Sequence, residues 1–138
     1  MKASSAENPV SPPGLKLVKL WYLLGGLMLL MVGAVSLMPV PDVGVNDKFS
    51  HLVTYFFLGG WFSLLATNRV SLVWTIIGLI AYGILIELLQ GMTAYRYAEW
   101  GDVLANASGT MAGILLYFSP LPRLLGFIDS KLALLWLR

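Results

Sequence analysis

Residues 87–106 read ELLQGMTAYRYAEWGDVLAN, and this stretch decides the fold of the chain. It ends one apolar segment with Glu87 and Gln90 and opens the next with Asp102 and Asn106, so each pair lies on one face of a helix. A carboxylate at the centre of a bilayer costs roughly 2.5 to 3.5 kcal/mol, and more on some estimates. Acids at the ends of such apolar helices are therefore predicted to be paired, functional or both.

The composition is that of a membrane protein. Of the 138 residues, 58% are hydrophobic and 12% are charged, and the mean hydropathy is +0.79. A soluble domain of this size is less apolar. The chain has no cysteine, which excludes disulfides, thiolate metal sites and cysteine nucleophiles. We therefore expect a small, all-α, polytopic membrane protein.

Four apolar segments are predicted to cross the membrane as one antiparallel four-helix bundle. Prolines or polar turns separate them, and the third is about 30 Å long at 1.5 Å per residue, which matches the hydrocarbon core. The predicted spans are residues 17–38, 47–67, 70–90 and 98–118.

Residues 17–118 therefore form the predicted transmembrane domain, with a shorter segment on each side. Residues 1–16 are polar and rich in proline and serine, and they are predicted to be a disordered cytoplasmic leader. Residues 119–138 are short and interrupted by charges, so we expect an amphipathic helix at the membrane interface rather than a fifth span.

Lysine and arginine are distributed unequally between the two predicted sides of the membrane. Seven of the nine lie in the terminal segments and in the loop between the second and third spans, and only Lys48 and Arg96 lie on the other side. Both termini are therefore predicted to be cytoplasmic.

With this topology, polar side chains from three helices fall close to the extracytoplasmic surface. Asp47 and His51 are four apart on the second helix, while Glu87 and Asp102 flank the loop between the third and fourth helices. We predict that they form one shallow pocket. Its predicted lining is Asp47, Lys48, His51, Glu87, Gln90, Arg96, Asp102 and Asn106.

A structural interpretation of the same residues stays open. Asp47 and Asp102 complement helix dipoles near helix N-termini, and Arg96 is predicted to close the hairpin. Its predicted ion-pair partner is Glu87, Glu99 or Asp102. The functional interpretation rests on the convergence of an acid, an amide, an imidazole and an arginine from separate helices.

Several chemistries fit the residues poorly. A phosphohistidine mechanism lacks basic residues, and a dyad of Ser108 with His51 lacks a nucleophile elbow. A metal site would have suitable ligand types in Asp47, His51, Glu87 and Asp102. With one imidazole and no dense ligand motif, however, we predict neither a metal nor another cofactor. Nucleic-acid binding is not predicted, because the only basic groups outside the pocket have a topological explanation.

The fourth helix carries a stripe of small residues, Gly109-x-x-x-Gly113, which lets helix backbones approach closely in membranes. Packing within the bundle and self-association both remain open for this stripe.

Four motifs follow one another between residues 36 and 113: SLMPVPD, DKFSHLVTYFFLG, ELLQ and R..EWGDVLAN..G...G. In this combination the chain resembles the VanZ-like family of small bacterial membrane proteins, whose founding member is associated with resistance to the glycopeptide antibiotic teicoplanin. The resemblance implies a multi-pass protein of the bacterial cytoplasmic (inner) membrane in the cell envelope, and it implies no reaction. The matching positions are Asp47, Lys48, His51, Glu87, Gln90, Arg96, Asp102, Asn106 and Gly109.

Two functions remain. The first is a binder, in which Arg96 and Lys48 contact an anionic headgroup and the acids and amides contact hydroxyls. The predicted partner is a membrane lipid or lipid-linked envelope intermediate, with a homo-oligomer or a second membrane protein left open. The alternative is an intramembrane enzyme acting on a lipid-linked envelope substrate, with Glu87 or Asp102 as base and His51 as acid. We favour the binder, because no nucleophile or metal signature accompanies the acids.

Overall fold

The computed structural model describes residues 14–39 and 46–136, and the regular elements within these ranges are all helices. They are α1 (Val18–Ser36), α2 (Asp47–Leu65), α3 (Arg69–Gly91), α4 (Trp100–Ile114) and α5 (Leu121–Trp136). A 3-10 turn, Leu115–Phe118, joins α4 to α5. Residues 1–13 of the predicted leader lie outside the described residues, as do residues 40–45 and 137–138.

Within the described residues, α1 and α3 are long and apolar enough to cross a membrane. The count of spans rises to three if α4 with its 3-10 turn and α5, which are bent by 70° relative to each other, form one broken span. These apolar helices indicate a membrane protein. The second predicted span does not meet the same criterion, because the first two turns of α2 carry Asp47, Lys48 and His51.

Asparagine side chains fix the starts of α2 and α3. The Asn46 side chain accepts a hydrogen bond from the backbone N–H of Phe49 at 3.3 Å. Asn68 accepts from the backbone N–H of Ser71 at 2.8 Å, and the Ser71 hydroxyl accepts from the backbone N–H of Asn68 at 3.1 Å. These contacts satisfy N–H groups that a helix start otherwise leaves without a partner.

The most extensive helix contact joins α2 to α4, which run parallel to each other. In the predicted bundle, successive helices are antiparallel, so alternate helices point the same way. The helices α2 and α4 are such an alternate pair, and they are neighbours in the structure. Small residues allow the approach: a Cβ atom on Gly109 would overlap the Leu52 carbonyl oxygen, and one on Gly113 would overlap the Phe56 carbonyl oxygen. The small-residue stripe therefore faces α2 inside the molecule.

Helix α1 lies at the edge of the fold and packs against α2 and α3. Only Trp21 and Gly25 of this helix are buried, although most of its residues are apolar. The Tyr82 hydroxyl of α3 donates a hydrogen bond to the Leu29 carbonyl oxygen at 2.6 Å, which fastens the middle of α1. The remaining apolar surface of α1 suits contact with lipid.

Helix α5 begins at Leu121. Pro122 lies in its first turn, where a missing N–H costs nothing. Its buried residues form one stripe along the helix: Pro122, Gly126, Asp129 and Ala133. The Asp129 carboxylate accepts hydrogen bonds from the backbone N–H groups of Lys16 at 2.6 Å and Leu17 at 2.9 Å, and from the Trp21 indole at 2.8 Å. This carboxylate ties α5 to the start of α1.

Candidate functional site

The predicted site residues gather at one end of the molecule, which we call the polar end. It is formed by the end of α1, the start of α2, the end of α3 and the start of α4. Within it, the predicted residues of α3 and α4 are buried, and those of α2 range from buried to half-exposed.

His51 lies at the centre of the polar end and is 8% exposed. Its Nδ1 atom is 3.0 Å from Asn106 Oδ1 and 3.9 Å from Glu87 Oε1. Its Nε2 atom is 3.9 Å from both Asp47 Oδ1 and Asp102 Oδ2. One imidazole is thus surrounded by carboxylates from three helices.

Two cations balance part of this negative charge. Lys48 Nζ lies 2.6 Å from Glu99 Oε2 and 3.3 Å from Asp102 Oδ1. The Lys48 ammonium donates a hydrogen bond to Glu99, and this holds the pKa of the Glu99 carboxyl below its ordinary value. Lys48 therefore joins the first turn of α2 to the first turn of α4.

The predicted ion-pair partners of Arg96 were wrong. The Arg96 guanidinium lies 3.4 Å from Asp47 Oδ2, and no ion pair within 4.0 Å joins it to Glu87, Glu99 or Asp102 among the described residues. The reason is that the carboxylates of α4 and its N-cap are held by Lys48, which leaves the half-exposed Asp47 as the acid that Arg96 reaches from the loop.

Glu87 holds the start of α4. Its Oε2 atom accepts a hydrogen bond at 3.2 Å from the backbone N–H of Glu99, which is the N-cap residue of α4. Its Oε1 atom is buried and has no hydrogen-bond partner. An unpaired buried oxygen of this kind costs about 1 to 3 kcal/mol, so it marks a place where a ligand, an ion or a water is expected.

Gln90 has a structural contact. Its side-chain N–H donates to the Ser36 carbonyl oxygen at 2.9 Å, and the Tyr95 hydroxyl donates to the Leu37 carbonyl oxygen at 2.6 Å. Both acceptors lie at the C-terminal end of α1, where carbonyl groups lack partners within the helix. The two side chains therefore cap α1.

A cavity of about 230 Å³ opens at the polar end between α1 and α2. Val32, Val35 and Ser36 form its α1 wall, and Arg96 lies over it from the loop between α3 and α4. Its α2 wall consists of Asp47, Ser50, His51, Thr54 and Tyr55.

Only three of the eight predicted lining residues, Asp47, His51 and Arg96, line this cavity. The other five are packed around the starts of α2 and α4 and the end of α3. Thr54 and Tyr55 were not predicted, although positions 47, 51, 54 and 55 share one helix face. That helical spacing was the signal available in the sequence.

Three further buried polar atoms of the described residues have no hydrogen-bond partner. They are the Tyr55 hydroxyl, the Asn106 side-chain nitrogen and the Thr110 hydroxyl. Buried polar atoms are paired in the great majority of cases, so this group is unusual. Tyr55 itself lines the cavity, and its hydroxyl is fully buried.

The model of the VanZ/LLP1 family matches residues 17–125, more than three quarters of the chain. The chain belongs to the VanZ/LLP1 family. The match runs from α1 into the start of α5 and so includes the whole polar end. Neither the curated proteins nor the solved structures that were compared with this VanZ/LLP1 chain contain a match.

Two kinds of chemistry suit this arrangement. Arg96 and the hydroxyl groups of the α2 wall can bind an anionic or hydroxylated group within the cavity. Asp47, His51 and Asp102 each offer one ligand atom, and these atoms lie within 4.8 Å of one another, a spacing that suits a metal ion.

Proposed function

We propose that this VanZ-like protein binds the headgroup of a membrane lipid or lipid-linked envelope intermediate in the cavity between α1 and α2. The observation that carries the proposal is the composition of that cavity. Polar side chains of α2 and the Arg96 guanidinium face two valines of α1, which suits a molecule with an anionic or polyhydroxylated headgroup and an apolar tail.

The cavity volume limits the ligand. Small-molecule pockets typically measure about 300 to 1,000 Å³, so a cavity of about 230 Å³ accommodates a headgroup rather than a whole lipid. The apolar part of such a ligand would remain beside α1, whose exposed surface is apolar.

The proposal includes a multi-pass topology in the bacterial cytoplasmic membrane. In it, α1 to α4 cross the membrane, α5 lies at the cytoplasmic interface, and both termini are cytoplasmic. The distribution of lysine and arginine supports this orientation. The polar groups of α2 and α4 are compatible with a membrane because they lie at the helix ends or face each other inside the molecule.

Glycopeptide tolerance is the phenotype that tests this function. A teicoplanin-susceptible bacterium that expresses the wild-type chain should tolerate more teicoplanin than the same strain with an empty vector. Arg96→Gln should lose this gain, because it removes the positive charge over the cavity. The control is Arg69→Gln, which removes an exposed arginine at the opposite end of α3.

All variants should be compared at equal amounts of protein in the membrane. No increase in tolerance from the wild type, or an equal loss in both arginine variants, would contradict the proposed function.

The enzyme alternative has one observation in its favour. Glu87 and Asp102 lie 3.9 Å from opposite nitrogens of the His51 ring, and a ligand that shortened these separations to hydrogen-bond distance would allow transfer of a proton. The enzyme would be established if the wild type converts a bound lipid-linked compound and the Glu87→Gln variant binds the same compound without converting it.

A further inference from the structure

The side chains around His51 Nε2 belong to two helices and present two carboxylate oxygens to one ring nitrogen. Asp47 Oδ1 and Asp102 Oδ2 each lie 3.9 Å from that nitrogen. This separation is too long for a hydrogen bond, which requires about 2.7 to 3.2 Å.

The tautomer of His51 makes this spacing informative. Asn106 Oδ1 is an acceptor 3.0 Å from Nδ1, and Glu87 Oε1 lies on the same side of the ring. The Nδ1 atom therefore carries the proton, and in the neutral ring the lone pair of Nε2 points toward the two aspartates. A lone pair and two carboxylates that face one another repel unless a proton or a metal cation lies between them.

We infer that Asp47, His51 and Asp102 bind a divalent transition-metal ion such as Zn²⁺ or Mn²⁺. Two of the distances between these atoms are 3.9 Å and the third is at most 4.8 Å, so the nearest point equidistant from all three lies within about 2.5 Å of each, against roughly 2.0 to 2.2 Å for zinc bonds to nitrogen and oxygen. Ligand atoms of these types are common for both metals.

The surroundings are those of a metal centre. A histidine that binds a metal normally donates its other ring N–H to an acceptor, as His51 does to Asn106. The oxygen of each aspartate that faces away from the site is held by a cation: Asp47 by Arg96 and Asp102 by Lys48. These contacts orient the two carboxylates toward the imidazole.

The charge of the polar end favours a divalent ion as well. With all its acids ionised, the described part of this end contains four carboxylates, of Asp47, Glu87, Glu99 and Asp102, and two cations, Lys48 and Arg96. Two negative charges therefore lack a counterion. One of the carboxylates, that of Glu87, has a buried oxygen without a hydrogen-bond partner that faces the His51 ring.

This metal site goes beyond headgroup binding and does not depend on it. Asp47 and His51 also line the cavity, so a metal ion held by three protein ligands keeps an open position on the cavity side. An anionic group in the cavity would be able to coordinate it there.

The test is a metal titration of the full chain in detergent, purified with a tag that contains no histidine and treated with a chelator beforehand. Calorimetry with Zn²⁺, and separately with Mn²⁺, should give one bound ion per chain for at least one metal. Asp47→Asn should weaken that binding at least about tenfold, since even changes outside the ligand set typically cost 10- to 100-fold.

Glu99→Gln is the matched control, because Asp47 and Glu99 are 52% and 56% exposed and each forms an ion pair with a cation of the polar end. It removes the same charge without removing a ligand, so it should weaken binding much less than Asp47→Asn does. His51→Gln and Asp102→Asn provide second and third ligand variants, with their folding checked by helical circular dichroism. Absence of binding by the wild type, or equal losses in Asp47→Asn and Glu99→Gln, would overturn the site.

Discussion

At the scale of single residues, Asp129 holds two distant parts of the chain together. It is 1% exposed, yet its carboxylate accepts three hydrogen bonds from the segment that opens α1. A buried carboxylate without partners would cost several kcal/mol, whereas one that accepts this many N–H groups is stabilised in its charged form.

Asp129→Asn should therefore destabilise the protein. The amide keeps one acceptor oxygen but turns an NH₂ group toward backbone or indole donors, and a hydrogen bond to a charged group contributes about 1.5 to 3 kcal/mol. We expect a lower melting temperature in detergent, measured by circular dichroism. Ser130→Ala, at the adjacent and only partly buried position, serves as the control. Equal melting temperatures for the two variants would contradict this role of Asp129.

Residue contacts within one helix could be predicted, and those made by loops could not. Asp47 and His51 were expected to share a helix face, and the structure places Asp47 Oδ1 3.9 Å from His51 Nε2. The partner of Arg96 was predicted wrongly because it depends on the path of the loop between α3 and α4, which helical periodicity does not describe. The role of Asp129 depends likewise on how α5 folds back on α1.

At the scale of elements, the parallel contact between α2 and α4 determines the fold. The Gly59 side of α2 meets the backbone of Thr110, and a Cβ atom on Gly59 would lie 2.7 Å from the Thr110 carbonyl oxygen. Backbone atoms cannot move aside as a flexible side chain can. Both helices therefore need glycine where they cross.

Gly109→Ala should separate the two helices and destabilise the protein by about 1 to 3 kcal/mol, the usual range for an overpacked core. Gly78→Ala in α3 is the control, because a Cβ atom there has no neighbour within 4 Å and alanine favours a helix. Thermal unfolding in the same detergent compares the two. If Gly109→Ala melts at the temperature of Gly78→Ala or above it, the close α2–α4 contact is incorrect.

The helices themselves follow from the sequence within a few residues, because apolar length and the flanking prolines and asparagines define them. The predicted fourth span begins at Ala98 and ends at Phe118, whereas α4 covers Trp100–Ile114, residues 98–99 precede it, and Leu115–Phe118 forms the 3-10 turn. The pairing of α2 with α4 was not predicted. It depends on the small residues of both helices together, and the small residues of one helix alone do not identify its neighbour.

At the scale of the whole molecule, the buried ionisable side chains of the described residues are divided unequally between the two ends. His51, Glu87 and Asp102 lie at the polar end. The opposite end contains Asp129, whose carboxylate accepts hydrogen bonds from the residues at the start of α1. The positions of these residues within each helix predict this asymmetry. Which of them reach a cavity could not be predicted, since that depends on where α1 lies.

The proposed topology predicts the location of reporter fusions. Alkaline phosphatase fused after Arg138 should be inactive and green fluorescent protein at the same position should fluoresce, since the C-terminus is expected in the cytoplasm. A phosphatase inserted after Tyr95, in the loop between α3 and α4, should be active. An active phosphatase after Arg138 would show that α5 crosses the membrane.

The most direct test of headgroup binding is native mass spectrometry of the protein purified in mild detergent. Thr54→Leu places a larger apolar side chain in the polar cavity, and Thr75→Leu makes the same change in a separate, largely apolar cavity lined by Leu29 and Phe62. Wild type and Thr75→Leu should both carry a co-purifying molecule with an anionic or polyhydroxylated headgroup, and Thr54→Leu should carry much less of it. A wild-type protein without such a molecule, or one retained equally by Thr54→Leu, would contradict the account.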